Sequence, residues 1–236
     1  MKHKNLWPAL LMLAALPLVA SCGDDDDDPV VKKETVDANG HEYVDLGLPS
    51  GLLWATMNIG AAAPENSGYY FAWGETKTKS KYNWYTYEHC EGDQHSLTKY
   101  NEYADYGTVD NKAVLELSDD AAHVVWGGDW RMPTIGEWQE LLDNCMIEWV
   151  EDYKGNGVSG RLVTSSANGN TLFLPAAGYR SDSEYKGVGI LGYYSSSSVG
   201  LGHGGADNMY FESSRMLDMS VYRYVGQSVR AVLDAE

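Results

Sequence analysis

The side chains able to do chemistry in this 236-residue chain are few, and most fail on spacing. His89, Cys90 and His95 offer soft ligands, but no second Cys or His pair stands at a spacing that would close a four-coordinate site, so they are read as residues of a polar loop. Gly200-Leu201-Gly202-His203-Gly204-Gly205 spells G-x-G-x-x-G, yet the strand-like Ala206 to Phe211 follows where a dinucleotide site needs a helix; a sharply turned loop is expected instead. Ser195 to Ser198 lack the G-x-S-x-G elbow of a nucleophilic serine. Glycan hydrolysis would need two carboxylates facing one cleft, and the many acids show no pairing signal. Oxygen-rich loops suit a hard cation, so a structural calcium is the one cofactor left open, with no metal ligands assigned. No catalytic residue emerges.

The three cysteines divide by position. Cys22 ends Val19-Ala20-Ser21-Cys22, after a basic start (Lys2, Lys4) and an apolar run from Leu6 to Ala20. That run is too short to span a membrane and contains Pro8 and Pro17, so residues 1–21 are read as a secretory signal. Its end looks like a bacterial lipobox, in which Cys22 becomes acylated. Gly23 and the acidic run Asp24 to Asp28 follow. Like charges in a row repel and cannot pack, so residues 22–39 are expected to be a solvated tether. An acidic run directly behind the acylated cysteine also resembles the surface-export signal of some Gram-negative lipoproteins. The expected location is the outer membrane, lipid-anchored and facing outward. Cys90 and Cys145 can pair in that oxidising setting, closing a loop of about 55 residues for roughly 3–5 kcal/mol. Two free thiols, one of them buried on a helix face, remain the alternative, because sequence does not show Cα separation.

Composition narrows the class. A net charge of −17 disfavours nucleic acid. The hydrophobic fraction of 44%, with 17 Tyr and 8 Trp, excludes a disordered chain, and 3 Cys exclude a disulfide-framework miniprotein. The 25 Gly favour turns and short strands.

The elements that must position these residues lie in one domain, residues 40–236. Residues 42–57 predict two strands around Pro49-Ser50-Gly51, and Tyr69 to Gly74 predict another. From Glu75 to Asp110 the chain is polar but crowded with aromatics, as in a long loop packed by its own rings. Thr134 and Glu137 form a capping box that opens a helix burying Trp138, Leu141, Leu142 and Cys145 on one face. A shorter helical turn is expected to open at Ser118. Arg161 to Thr164 and Thr171 to Leu174 flank the hairpin signal Asn168-Gly169-Asn170. Further strands fit Tyr193 to Ser196, Asn208 to Glu212 and Ser228 to Leu233. The fold class is α+β, with short antiparallel strands, one or two helices and long loops.

The segments VDLGLPSGLLWATMNIG (44–60), YYFAWGETK (69–77), LTKYN (97–101), DDAAHVVWGGDWRMPTIGEWQELLDNC (119–145), NGNTLFLPAAGYR (168–180), GYYSSSS (192–198) and GQSVRAV (226–232) resemble, in order, the Fibrobacter succinogenes major paralogous domain of bacterial surface lipoproteins. The resemblance implies a C-type-lectin-like fold related to formylglycine-generating enzymes, although no cysteine follows Cys145 to carry their chemistry. Position 194 departs from the pattern, with Tyr194 where relatives carry Trp. Calcium-dependent sugar motifs are missing too: Pro64-Glu65-Asn66 runs in the wrong order. The resemblance places the contact surface in the late segment 199–225, and so implies binding by His203, Asp207, Tyr210, Arg215, Tyr222, Arg223 and Tyr224. Met216, Leu217 and Met219 there are either an apolar contact patch or buried. The expected activity is non-enzymatic binding of an extracellular protein or glycan, helped by loop 75–110. The alternatives are a structural or adhesin-tip subunit and a glycan-active enzyme. Replacing the acylated thiol (Cys22→Ala) is expected to release the protein in soluble form, checked by fractionating membranes from supernatant; unchanged membrane retention would refute the anchor.

Overall fold

The computed structural model describes residues 35–37 and 40–235. The signal, Cys22 and the acidic run lie outside the described residues. In chain order the strands are β1 (Thr35–Val36), β2 (Glu42–Asp45), β3 (Leu53–Asn58), β4 (Cys145–Val150), β5 (Gly160–Ser165), β6 (Thr171–Pro175), β7 (Tyr179–Ser181), β8 (Glu184–Lys186), β9 (Gly192–Val199), β10 (Gly205–Phe211), β11 (Met216–Tyr222) and β12 (Arg230–Leu233). The helices are α1 (Ala121–Trp126) and α2 (Ile135–Asn144). Four small sheets result, β1-β2-β3-β12, β4-β5-β6, β7-β8 and β9-β10-β11, antiparallel throughout. The α+β class follows. No helix among the described residues is long and apolar enough to cross a membrane.

The first sheet brings the start of the described chain onto its end: Val232 of β12 pairs with Trp54 of β3. It also moves the domain boundary. Sequence places residues up to 39 in the tether, but Thr35 pairs with Tyr43 and Val36 with Glu42. The Asp37 carboxylate then accepts from the Trp130 indole and the His41 amide, both at 2.6 Å. The folded unit therefore starts ahead of Gly40.

The capping box forms as its residues dictate. Thr134 Oγ1 accepts from the Glu137 amide (3.2 Å), and Glu137 accepts in return from the Thr134 amide (2.7 Å). Trp138 and Leu141 are fully buried on the inner face of α2, where Trp138 meets Trp54 at 4.7 Å between ring centroids. Cys145 departs from expectation: it opens β4 instead of extending the helix face. At α1 the cap is Asp120, whose carboxylate accepts from Ala122, His123 and Met132 amides; Ser118 lies in a preceding 3-10 turn.

Tyr69 to Gly74 does not form a strand. The amides of Tyr69, Phe71 and Trp73 donate to Ile59, Gln227 and Arg223, on two separate stretches of chain, and only Phe71 forms a bridge, with Gln227, so no continuous ladder results. The sequence pattern is right for extended backbone, but the partners are not collinear. The aromatic loop is anchored as expected, with Tyr82, Tyr87 and Leu97 buried beside Tyr70 and Ala72 in a core cluster of their own. A fully buried Arg230 ties β12 inward, donating to Asn58 Oδ1 (2.9 Å) and to the carbonyls of Ala55 and Phe173 (3.0 Å each).

Burial raises the Glu137 carboxyl, but hydrogen bonds from Arg131 and Thr134 more than offset this and hold it below the ordinary carboxylate range. A depressed folded pKa stabilises above the unfolded value and is lost as pH falls through the folded one. Thermal melts should therefore show Glu137→Gln less stable than wild type near neutrality, with the gap closing towards pH 3. Thr134→Ala should cost about 1 kcal/mol, or roughly 2–4 °C in Tm.

Candidate functional site

A groove of about 680 Å³ opens where the aromatic loop, β7, β9, the β9–β10 turn and the end of β11 meet. Gln94 and Tyr106 come from the aromatic loop, Tyr179 and Ser181 from β7, and Tyr193 from β9. The β9–β10 turn supplies Leu201, Gly202 and His203; β11 and the turn after it supply Ser220, Val221, Tyr222, Tyr224 and Val225. Gly205, at the start of β10, completes the lining.

Alternation along the chain decides which side chains reach it. Tyr222 is 49% exposed, whereas Arg223 beside it is 2% exposed. Arg223 turns inward and binds three backbone segments at once. Its Nε donates to the Gly205 carbonyl (2.9 Å), and its terminal nitrogens donate to Tyr100 (2.9 Å) and Lys99 (3.4 Å). Its own carbonyl accepts from the Trp73 amide (2.8 Å), and the guanidinium lies 4.9 Å from the centre of the Trp73 ring. Burial holds the group below its ordinary pKa. The aromatic loop, the start of β10 and the turn after β11 are thereby held to one frame.

Rings complete the positioning. Trp84 meets Tyr222 at 5.6 Å and Tyr224 at 5.1 Å edge-on, and these two tyrosines stack on each other at 5.7 Å. Gly204 is required for this approach: its φ is +73°, and a Cβ there would come within 2.7 Å of the Trp84 ring. His203 stacks flat on Tyr106 at 3.7 Å, and His95 covers the other face of Tyr106 at 4.8 Å, joining the β9–β10 turn to the aromatic loop. Tyr179 and Tyr193 lie 4.7 Å apart.

Among the described residues the lining contains no Asp, Glu, Lys or Arg, although the whole chain carries −17. Burial, with Tyr179 and Tyr210 alongside, pushes the Tyr193 phenol up to about 12, and burial likewise raises Tyr224. These phenols stay neutral and offer a ring face, a donor and an acceptor each. Gln94, Ser181 and Ser220 add further uncharged hydrogen-bonding groups.

Of the residues the sequence assigned to binding, His203, Tyr222 and Tyr224 line the groove. Four do not. Arg223 is the inward tie just described. Tyr210 is 6% exposed, packed 5.1 Å from Tyr193, with its hydroxyl donating to Glu212. Asp207 is half-buried in β10 opposite Ser220, where burial raises its carboxyl. Arg215 pairs with Glu212 at 3.1 Å, in the turn between β10 and β11 at the far end of that hairpin. Met216 packs against the first core cluster, and Leu217 and Met219 are half-buried. The sequence does not single out Tyr179, Tyr193, Gln94 or Tyr106 for binding; their convergence is purely tertiary.

The thiols do not pair. Cys90 donates to the Trp84 carbonyl (3.2 Å) beside the aromatic loop, while Cys145 packs against the cluster around Trp138, so the two belong to separate cores and both are free. Among the described residues no three His, Cys, Asp or Glu side chains gather as a metal site. His89 is engaged by the Gly74 carbonyl (2.8 Å), and Glu65 accepts from Asn156 (2.9 Å).

Comparison with family models, with curated proteins and with solved structures finds no match for this chain. The inward and outward residues should separate cleanly in thermal melts: Arg223→Ala strands carbonyls it now satisfies and should cost about 3–5 kcal/mol. Tyr222→Ala, at a half-exposed position in ring contact with Trp84 and Tyr224, should cost only about 1 kcal/mol.

Proposed function

We propose that this chain is an exported, lipid-anchored binding protein that holds an extracellular ligand in the tyrosine-lined groove. The convergence of Tyr106, Tyr179, Tyr193, Tyr222 and Tyr224 on one open cleft carries this reading. Tyrosines present large, stiff, amphipathic surface at low entropy cost, and a firm base beneath them reduces the ordering needed on binding. The signal and Cys22 supply export and anchor, the acidic tether gives reach, and the outer face of the outer membrane is the location that fits. Nucleic acid fits neither the groove nor the net charge.

The fold we assign is C-type-lectin-like. Support comes from the ordered sequence segments, from a sheet that joins the two ends of the domain, and from a long loop and late strands that together form the cleft. Binding is favoured over glycan hydrolysis because the cleft lining offers no carboxylate to act as acid or nucleophile. The test is a glycan array and a surface-proteome pulldown with the full chain beside Tyr222→Ala. At least one retained ligand should lose tenfold or more in affinity on that substitution, with Tm lowered by no more than about 2–4 °C. Ligands retained equally by both proteins would place binding elsewhere.

A further inference from the structure

Resting on that reading of the groove, we infer that its ligand is a neutral saccharide, held by ring stacking without a metal ion. Three observations converge. The walls are built from tyrosine pairs, Tyr222 with Tyr224 and Tyr179 with Tyr193, and Tyr222 stays half-exposed although Trp84 holds it in place. A sugar ring presents a C–H face that is apolar and slightly positive, and this matches the negative face of an aromatic ring.

The second observation is charge. A uronic, sulfated or sialylated chain would meet no Lys or Arg in the lining and would approach a molecule of net charge −17. A cationic ligand would find no carboxylate there. What remains are the phenol hydroxyls, the Gln94 amide and the Ser181 and Ser220 hydroxyls, donors and acceptors without fixed charge that suit a polyol. The third is size: about 680 Å³ falls within the ~300–1,000 Å³ usual for small-ligand clefts. The rival class is an extended peptide adding to β11, which is the edge of its sheet. The groove meets β11 only at its last three residues, Ser220, Val221 and Tyr222, and this favours the sugar.

The experiment is affinity electrophoresis of the full chain in mild detergent through gels containing soluble polysaccharides. The neutral set is glycogen, mixed-linkage β-glucan, xyloglucan, galactomannan and yeast mannan; the acidic set is polygalacturonate and heparin. At least one neutral polymer should retard the protein equally with and without EDTA. Tyr222→Ala should weaken that retardation tenfold or more, and Tyr222→Phe, which keeps the ring, should stay within about threefold of wild type. Retardation only by acidic polymers, abolition by EDTA, or no retardation by any neutral polymer would overturn the saccharide assignment. A random decapeptide library run in parallel separates the two levels. Peptide capture lost in Tyr222→Ala, with neutral polymers inert, removes the sugar but keeps the groove. Probes bound equally by wild type and Tyr222→Ala remove both.

Discussion

The groove depends on one buried cation. Arg223 has no carboxylate bonded to it among the described residues; its charge is met by the carbonyls of Gly205, Tyr100 and Lys99 and by the face of Trp73. An arginine can serve three acceptors in different directions because its fork is planar and rigid, which a lysine cannot reproduce. The acceptors sit on chain segments more than a hundred residues apart in sequence, so this side chain does the work of a sheet where no sheet is present. Tyr100, one of the segments it holds, stands at a φ of +58°, which a tyrosine rarely adopts unless neighbours fix it. They do: the Asp110 carboxylate takes the Tyr100 and Asn101 amides at 2.9 Å, and the Tyr100 hydroxyl donates to Asp119 at 2.6 Å while accepting from the Glu116 amide. The aromatic loop is therefore pinned at Tyr100 and Asn101, between the two residues, Gln94 and Tyr106, that it gives to the groove wall.

The same economy explains why the groove is neutral in so acidic a molecule. The chain has 17 Lys and Arg against 34 Asp and Glu. Lys79, Lys99, Lys112 and Arg131 are engaged by carboxylates that hold loops and the α2 cap, while Arg180, Arg223 and Arg230 are taken up by backbone carbonyls. Each of these cations has a structural position to fill. A pocket lined with uncharged hydroxyls and rings is consistent with that allocation, since any acid placed there would face a net negative field without a local partner.

Local signals were legible in the sequence, and tertiary ones were not. The capping box at Thr134 and Glu137 and the Asn168-Gly169-Asn170 turn each depend on neighbours within a few residues, and each forms as expected; the aromatic loop is legible as a loop, but its packing draws on Tyr70, Tyr222, Arg223 and Tyr224 from outside it. Tyr69 to Gly74 misled because extended backbone and strand have the same pattern; the difference lies in whether the partners are continuous. Cys145 misled because the helix period carries on for one residue into a strand that also needs an apolar side chain there. Tyr222-Arg223-Tyr224 reads as one contact patch, but β11 ends at Tyr222, and the turn that follows sends Arg223 inward while Tyr222 and Tyr224 line the groove. Tyr179 and Tyr193 had no such local clue, because only the folding of β7 against β9 and the late turn brings them to the cleft.

This division between inward ties and outward rings bears on how the site can change. Arg223, Trp84 and Gly204 are fixed by contacts on several sides, so substitution there disturbs the frame itself. Ser220 and Tyr222, at alternate exposed positions of β11, touch the groove while the strand register to Asp207 and Gly205 is set by backbone bonds. Their side chains can be exchanged at little cost in stability, whereas the orientation of whatever replaces them is still imposed by β10 and the turn below. Selectivity therefore resides in a few surface positions on a rigid support, and the affinity they deliver depends on the buried guanidinium that keeps the support in one piece.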